Sequence, residues 1–174
     1  GLGDENRQHM ARDSFGIVAD GPEAIARAVR TCIREGVDNI KLNISGDDFV
    51  PVCEQLDLAD CGPLRYVLPH APQRPVTING GFVMPAWYDI LALGSHGGED
   101  EAGLRSSQAL VEALIAREVS RGVAPERIVL AGFSQGCAMT LMTGLRHPQR
   151  LAALVGMSGY LPLPSTLEAE RSDA

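Results

Sequence analysis

The chain has 174 residues, of which 45% are hydrophobic, enough apolar side chain for one ordinary globular domain. A formal charge of -7 argues against nucleic acid or an anionic membrane surface as partner, and no apolar run approaches the roughly 20 residues that cross a bilayer. No basic-then-apolar leader precedes the first element, and the four cysteines (Cys32, Cys53, Cys61 and Cys137) form no C-x-x-C pair, so the reading is a cytoplasmic protein with reduced thiols, opening at Gly1 as a processed or trimmed product would.

In chain order, Asp20 as cap and Pro22 in the first turn open a helix with Ile25, Ala28, Val29, Cys32 and Ile33 on one face, and Gly36 closes it. Residues 40–45 alternate apolar and polar and read as a strand. Asp47 or Asp48 then caps a helix carrying Phe49, Val52, Cys53 and Leu56 on one face. Residues 64–68 (Leu-Arg-Tyr-Val-Leu) read as the next strand, and residues 69–98, rich in Pro and Gly, as a long irregular loop. Such a loop inside a domain is usually functional, and the apolar content of this one (Phe82, Met84, Trp87, Tyr88, Ile90, Leu91) predicts that it is ordered. A helix is predicted over residues 99–121, with Leu110, Ala113, Leu114 and Arg117 along it. After the elbow described next, residues 151–157 form a last buried strand, residues 158–162 a turn, and residues 167–174 a polar, frayed tail. Alternating strands and helices from residue 37 onward predict a mostly parallel sheet with helices on both faces.

The most informative segment is Gly132-Phe133-Ser134-Gln135-Gly136. It follows the apolar run Arg127-Ile128-Val129-Leu130-Ala131 and leads into Cys137-Ala138-Met139-Thr140-Leu141-Met142. Strand, Gly-x-Ser-x-Gly, helix is the context of a nucleophile elbow. The turn is so tight that only glycine fits two residues either side of the serine, where strand and helix backbones nearly meet. Ser134 is pushed out at the carboxyl end of a strand, in front of free helix N–H groups and the positive end of the helix dipole. A serine hydroxyl is a weak nucleophile and needs a base.

From Asp48 onward the chain resembles the carboxylesterase and acyl-protein thioesterase family of α/β-hydrolases. The matching stretches are Asp48-Phe49-Val50-Pro51, Leu68-Pro69-His70-Ala71-Pro72, Arg74-Pro75-Val76-Thr77-Ile78-Asn79-Gly80-Gly81 and Met84-Pro85-Ala86-Trp87-Tyr88-Asp89-Ile90. They continue through Asp100-Glu101-Ala102-Gly103, Leu130-Ala131-Gly132-Phe133-Ser134-Gln135-Gly136 and Ser158-Gly159-Tyr160-Leu161-Pro162. The resemblance implies cleavage of short-chain carboxylic esters and thioesters through an acyl-serine, with no cofactor and no metal. In that family the triad Asp and His follow the equivalent of Gly159-Tyr160 on two further strands, which this sequence does not contain. Asn43-Ile44-Ser45-Gly46 replaces the family's His-Gly-Leu-Gly oxyanion loop, and Cys137 replaces a second glycine. Residues 1–45 resemble a piece of the metal-dependent amidohydrolases, through Ala19-Asp20-Gly21-Pro22-Glu23 and Ile33-Arg34-Glu35-Gly36-Val37-Asp38-Asn39-Ile40-Lys41-Leu42. There the lysine matching Lys41 bridges two metals, but the other ligands are missing and one ligand makes no site. A fusion seam is expected near residues 45–51, joining this segment to a truncated α/β-hydrolase core over residues 46–165.

The candidate site follows. Ser134 is the expected nucleophile. Among His9, His70, His96 and His147, the preferred base is His96, in the Gly-rich loop Gly94-Ser95-His96-Gly97-Gly98; His70 reads as structural, His147 as a charge at the far end of the elbow helix, and His9 has no placed element. One oxyanion donor is the Gln135 backbone N–H by the elbow rule, and the other is expected from Ser45 and Gly46. Phe82, Met84 and Trp87 are either walls of an acyl pocket or plain loop packing. The expected fold is an incomplete α/β-hydrolase sheet within a single domain, whose last strand lies on an open edge; a homodimer or larger is expected, through that edge or through exchanged elements. The expected function is hydrolysis of a small-molecule ester, with a catalytically impaired remnant that folds and binds without turnover as the alternative.

Overall fold

In the computed structural model, residues 64–92 and 98–174 are described, together with the backbone of two short strands, β1 (Gly16–Val18) and β2 (Lys41–Leu42). The elbow strand β5 (Val129–Phe133) carries four consecutive buried residues and an exposed fifth. Burial on both faces is what a strand in the middle of a parallel sheet requires, and it explains the unbroken apolar run. β5 pairs in parallel with β6 (Ala153–Met157), Leu130 opposite Leu154 and Phe133 opposite Met157. β1 lies on the far side of β6 and β2 on the far side of β5, both parallel, so the strand order is β1-β6-β5-β2.

The expectation of an open edge at residues 151–157 is therefore corrected. β1 occupies that edge, with Gly16, Ile17 and Val18 opposite Leu154, Val155 and Gly156. β2 falls within the strand expected at residues 40–45 and places Lys41 and Leu42 opposite Leu130 and Ala131.

Residues 69–98 also differ from the expected irregular loop. They contain an antiparallel hairpin, β3 (Gln73–Val76) with β4 (Phe82–Pro85), joined through a 3-10 turn at Thr77–Asn79. Asp89 ties the hairpin down by accepting from the Thr77 N–H at 2.6 Å and from the Thr77 hydroxyl. Residues 64–68 form no strand. Among the described residues no strand runs beside them, and Tyr66 and Leu68 are turned to solvent.

Helix α1 (Glu101–Ser120) starts where its cap dictates: the Asp100 carboxylate accepts from the Gly103 N–H at 2.9 Å. Its buried stripe is Leu104, Ser107, Val111, Ile115 and Glu118, spaced three and four residues apart. Leu110, Ala113, Leu114 and Arg117, expected along this helix, lie outside the buried stripe, and Leu110 is 46% exposed. The signal was obscured because the true stripe contains a serine and a glutamate, and Glu118 tolerates burial by pairing with Arg65 at 3.0 Å and Arg121 at 3.1 Å. Helix α2 (Gln135–Gly144) packs on β5 and β6 and against α1. The core lies between these helices, the sheet and the loop after β4, around Trp87, Leu104, Ile115, Ile128, Leu130, Met139 and Met142.

The tail expected to fray over residues 167–174 is helical as far as Glu170, and residues 171–174 lie outside any helix. Helix α3 (Pro164–Glu170) is clamped at its end, where Glu170 accepts from Arg105 at 2.6 Å and from Arg146 at 2.7 Å. The Arg146 side chain, 3% exposed, also donates to the Leu163 carbonyl at 3.1 Å. Glu170 thus serves a partly buried ion-pair network, while Glu168 and Arg171 stay exposed.

Candidate active site

Ser134 follows the last residue of β5 and precedes the first residue of α2. Its backbone has φ 53 and ψ -116, a region that non-glycine residues rarely occupy. The strain is enforced by neighbours. A Cβ on Gly132 would overlap the Gly136 carbonyl group and stand 2.7 Å from the Cys137 nitrogen. A Cβ on Gly159 would stand 2.9 Å from the Ser134 carbonyl oxygen, so the turn after β6 presses on the elbow from the other side. The Ser134 N–H donates to the Met157 carbonyl at 2.9 Å, fixing the serine at the end of the β5–β6 pair.

The serine itself is exposed. It holds the N-cap position of α2, yet its hydroxyl makes no capping bond, so the oxygen is not committed to the helix. Gln135 opens the first turn, where backbone N–H groups lack intrahelical acceptors. This is the donor geometry expected of an oxyanion site.

The Gln135 side chain has a role the sequence reading missed. Its Oε1 accepts from the Trp87 N–H and its Nε2 donates to the Tyr88 carbonyl, both at 2.9 Å. The same loop is held from α1, where Ser107 donates its hydroxyl to the Trp87 carbonyl and the Asp100 carboxylate accepts from the Asp89 N–H at 2.8 Å. Nothing in the local sequence marks these long-range pairings, because one side of each is a backbone group.

The same loop's Tyr88 meets Tyr160 edge to face, with ring centroids 6.4 Å apart at 84°. Burial pushes both phenols above their ordinary range, as does the carboxylate of Glu99. Burial likewise raises the Cys137 thiol, which stays protonated near neutrality behind the serine. Asp89 is shifted the other way, held below the usual carboxylate range by the Thr77 hydrogen bonds.

The remaining candidates separate. His96, Ser45 and Gly46 lie outside the described residues, as do His9 and the amidohydrolase-like motifs, apart from the Lys41–Leu42 backbone. His70 is exposed. His147 is 7% exposed, beyond the end of α2, where its Nδ1 hydrogen-bonds the Gln149 backbone. Phe82 and Met84, two residues apart on β4, lie on one face of the hairpin, and Trp87 is apart from them. Phe82 is 70% exposed on the hairpin, Met84 is half-buried, and Trp87 is 1% exposed within the core. Nearer the serine, Phe133 and Tyr160 present partly exposed rings that the sequence reading did not single out. Among the described residues no three His, Cys, Asp or Glu side chains are grouped to hold a metal ion.

Residues 46–173 match the phospholipase/carboxylesterase family. The chain belongs to that family. Among curated relatives, acyl-protein thioesterase 1 of Schizosaccharomyces pombe is 45% identical over 102 residues, covering 59% of this chain and 46% of the relative. Acyl-protein thioesterase 1 homolog 1 of Dictyostelium discoideum is 40% identical over 130 residues, covering 74% of this chain and 58% of the relative. The chain thus spans about half the length of these relatives. Among solved structures, Arabidopsis thaliana SOBER1 superposes with a TM-score of 0.72 at 27% identity, over 78% of this chain and 68% of that one. Zea mays acyl-protein thioesterase 2 gives 0.60 at 26% identity, over 76% and 61%. The fold is accordingly the α/β-hydrolase fold, on a parallel sheet.

Proposed function

We propose that the chain carries the nucleophilic half of a serine hydrolase acting on short-chain carboxylic esters or thioesters. The observation that carries this reading is the exposed Ser134, held at φ 53 and ψ -116 at an elbow packed on Gly132 and Gly159, with its hydroxyl making no capping bond. In the proposed reaction the Ser134 hydroxyl attacks the acyl carbonyl while its proton passes to a histidine, for which His96 is the preferred residue. The oxyanion is held by the Gln135 N–H, with Ser45 and Gly46 as the proposed source of the second donor. The ester or thioester bond breaks as the alcohol or thiol leaves with that proton, and water then releases the acid from the acyl-serine. The relatives' names, acyl-protein thioesterase, support the thioester side of the substrate class. Phe133 and Tyr160 are the rings placed to meet an acyl chain, alongside Phe82 and Met84. A cytoplasmic setting fits the free Cys137 thiol.

A second reading is favoured by one observation: among the described residues the Ser134 hydroxyl has no hydrogen-bonded base. In that reading the chain binds acyl ligands without turnover. A fluorophosphonate probe separates the two. Labelling that is present in the wild type, absent in Ser134→Ala and strongly reduced in His96→Ala is the expected result. An unlabelled wild type that still binds a fatty-acyl ester would establish the non-catalytic reading.

A further inference from the structure

We infer that the side chain of Gln135 is a positioning residue, an amide clamp that sets the orientation of its own backbone N–H by gripping the Trp87–Tyr88 segment; this rests on the hydrolytic reading proposed above. A primary amide carries the donor and acceptor of a peptide group, so it can bind an extended backbone much as a neighbouring strand would. Gln135 does this at one site: Oε1 takes the Trp87 N–H and Nε2 gives to the Tyr88 carbonyl, both at 2.9 Å. The segment it grips does not yield. The Trp87 ring is 1% exposed in the core, Ser107 holds the Trp87 carbonyl, and Asp100 holds the Asp89 N–H at 2.8 Å from the cap of α1.

Gln135 is also the first residue of α2, immediately after the strained serine. Its side chain therefore connects the rigid α1–loop assembly to the peptide unit that would face a developing oxyanion. An oxyanion donor acts through preorganisation: it must already point at the charge when the charge forms. Without the clamp the first turn of α2 keeps its helical bonds but loses the lateral tie that fixes the angle of that N–H. Both polar atoms of the Gln135 side chain are engaged by loop backbone, so the loss is expected in the chemical step rather than in substrate binding.

The test compares Gln135→Leu and Gln135→Glu with the wild type on a p-nitrophenyl ester. For Gln135→Leu the expected result is a kcat lower by on the order of 10–100-fold, since small misplacements at a reacting centre carry that cost, with KM changed by less than about twofold. Gln135→Glu supplies the discriminating measurement. Its carboxylate accepts from Trp87 but repels the Tyr88 carbonyl; its protonated form restores both bonds. Its activity relative to wild type should rise as pH falls from about 8 towards about 5, approaching the range in which a carboxyl takes up a proton. Tyr88, Tyr160, Glu99 and Cys137 on one flank, and Asp89, Asp100 and Arg74 on the other, are common to both proteins and cancel in that ratio. Trp87, the sole tryptophan, gives a folding control through its emission wavelength. A purely structural role would lower Tm and raise KM without the pH-dependent recovery, and that pattern would overturn the inference, as would unchanged kcat in a folded Gln135→Leu. A wild type without turnover would sink the hydrolytic reading instead, a result distinct from either.

Discussion

At Ser134 conformational strain and reactivity share one residue. A side chain at φ 53 and ψ -116 costs roughly 1–3 kcal/mol relative to a relaxed backbone, and the cost is met by the close packing of Gly132 against Gly136 and of Gly159 against Ser134. Removing the side chain should relieve it. Ser134→Gly is expected to raise unfolding stability by about 1 kcal/mol in urea titration, because glycine enters this region freely, while fluorophosphonate labelling disappears. A Ser134→Gly protein that is less stable than wild type would show that the serine is held there by interactions rather than against strain. The elbow was legible in the sequence because two glycines at fixed spacing around a serine, between a strand pattern and a helix pattern, admit few other shapes. The Gln135 clamp was not, because its partners are backbone groups 47 and 48 residues away, and backbone groups carry no sequence signature.

At the scale of elements, α3 shows how a polar segment becomes structure. Residues 167–174 read as solvated, since nothing local distinguishes an exposed glutamate from one received by arginines far along the chain. Glu170 is held by Arg105 first and Arg146 second, and they lower its carboxyl from its ordinary 4.5 to about 2. A depressed carboxyl contributes stability that is fully present above the unfolded value and is lost as pH falls through the folded one. The stability difference between wild type and Glu170→Gln should therefore be constant near neutrality, shrink below about pH 4.5 and vanish near pH 2. Paired denaturant titrations across that window measure it. A difference that does not change between pH 5 and pH 2.5 would mean that the network is carried by Arg146 and Leu163 without the carboxylate. The buried stripe of α1 was not legible in the sequence for a related reason: Glu118 is buried because Arg65 and Arg121 receive it, a pairing that periodicity of apolar residues cannot reveal.

For the molecule as a whole, the parallel sheet and its elbow follow from strand–helix alternation, but the neighbours of each strand do not, since parallel pairing joins segments far apart in sequence. β1 closes β6 from more than 130 residues upstream (Gly16 opposite Leu154), and the expected open edge disappears. Self-association as a homodimer or larger then remains a proposal about the outer strands β1 and β2, not about β6. The covering can be removed. Ile17→Pro takes an N–H out of β1 and disfavours the extended pairing opposite Val155. That would present the backbone of β6, whose Leu154 and Val155 are buried, as an apolar template for another chain. At micromolar concentration Ile17→Pro should elute from a sizing column as a larger species than wild type, increasingly so with concentration. If Ile17→Pro elutes with the wild type and unfolds at the same temperature, β1 contributes nothing to closing the sheet, and self-association must be sought on another surface.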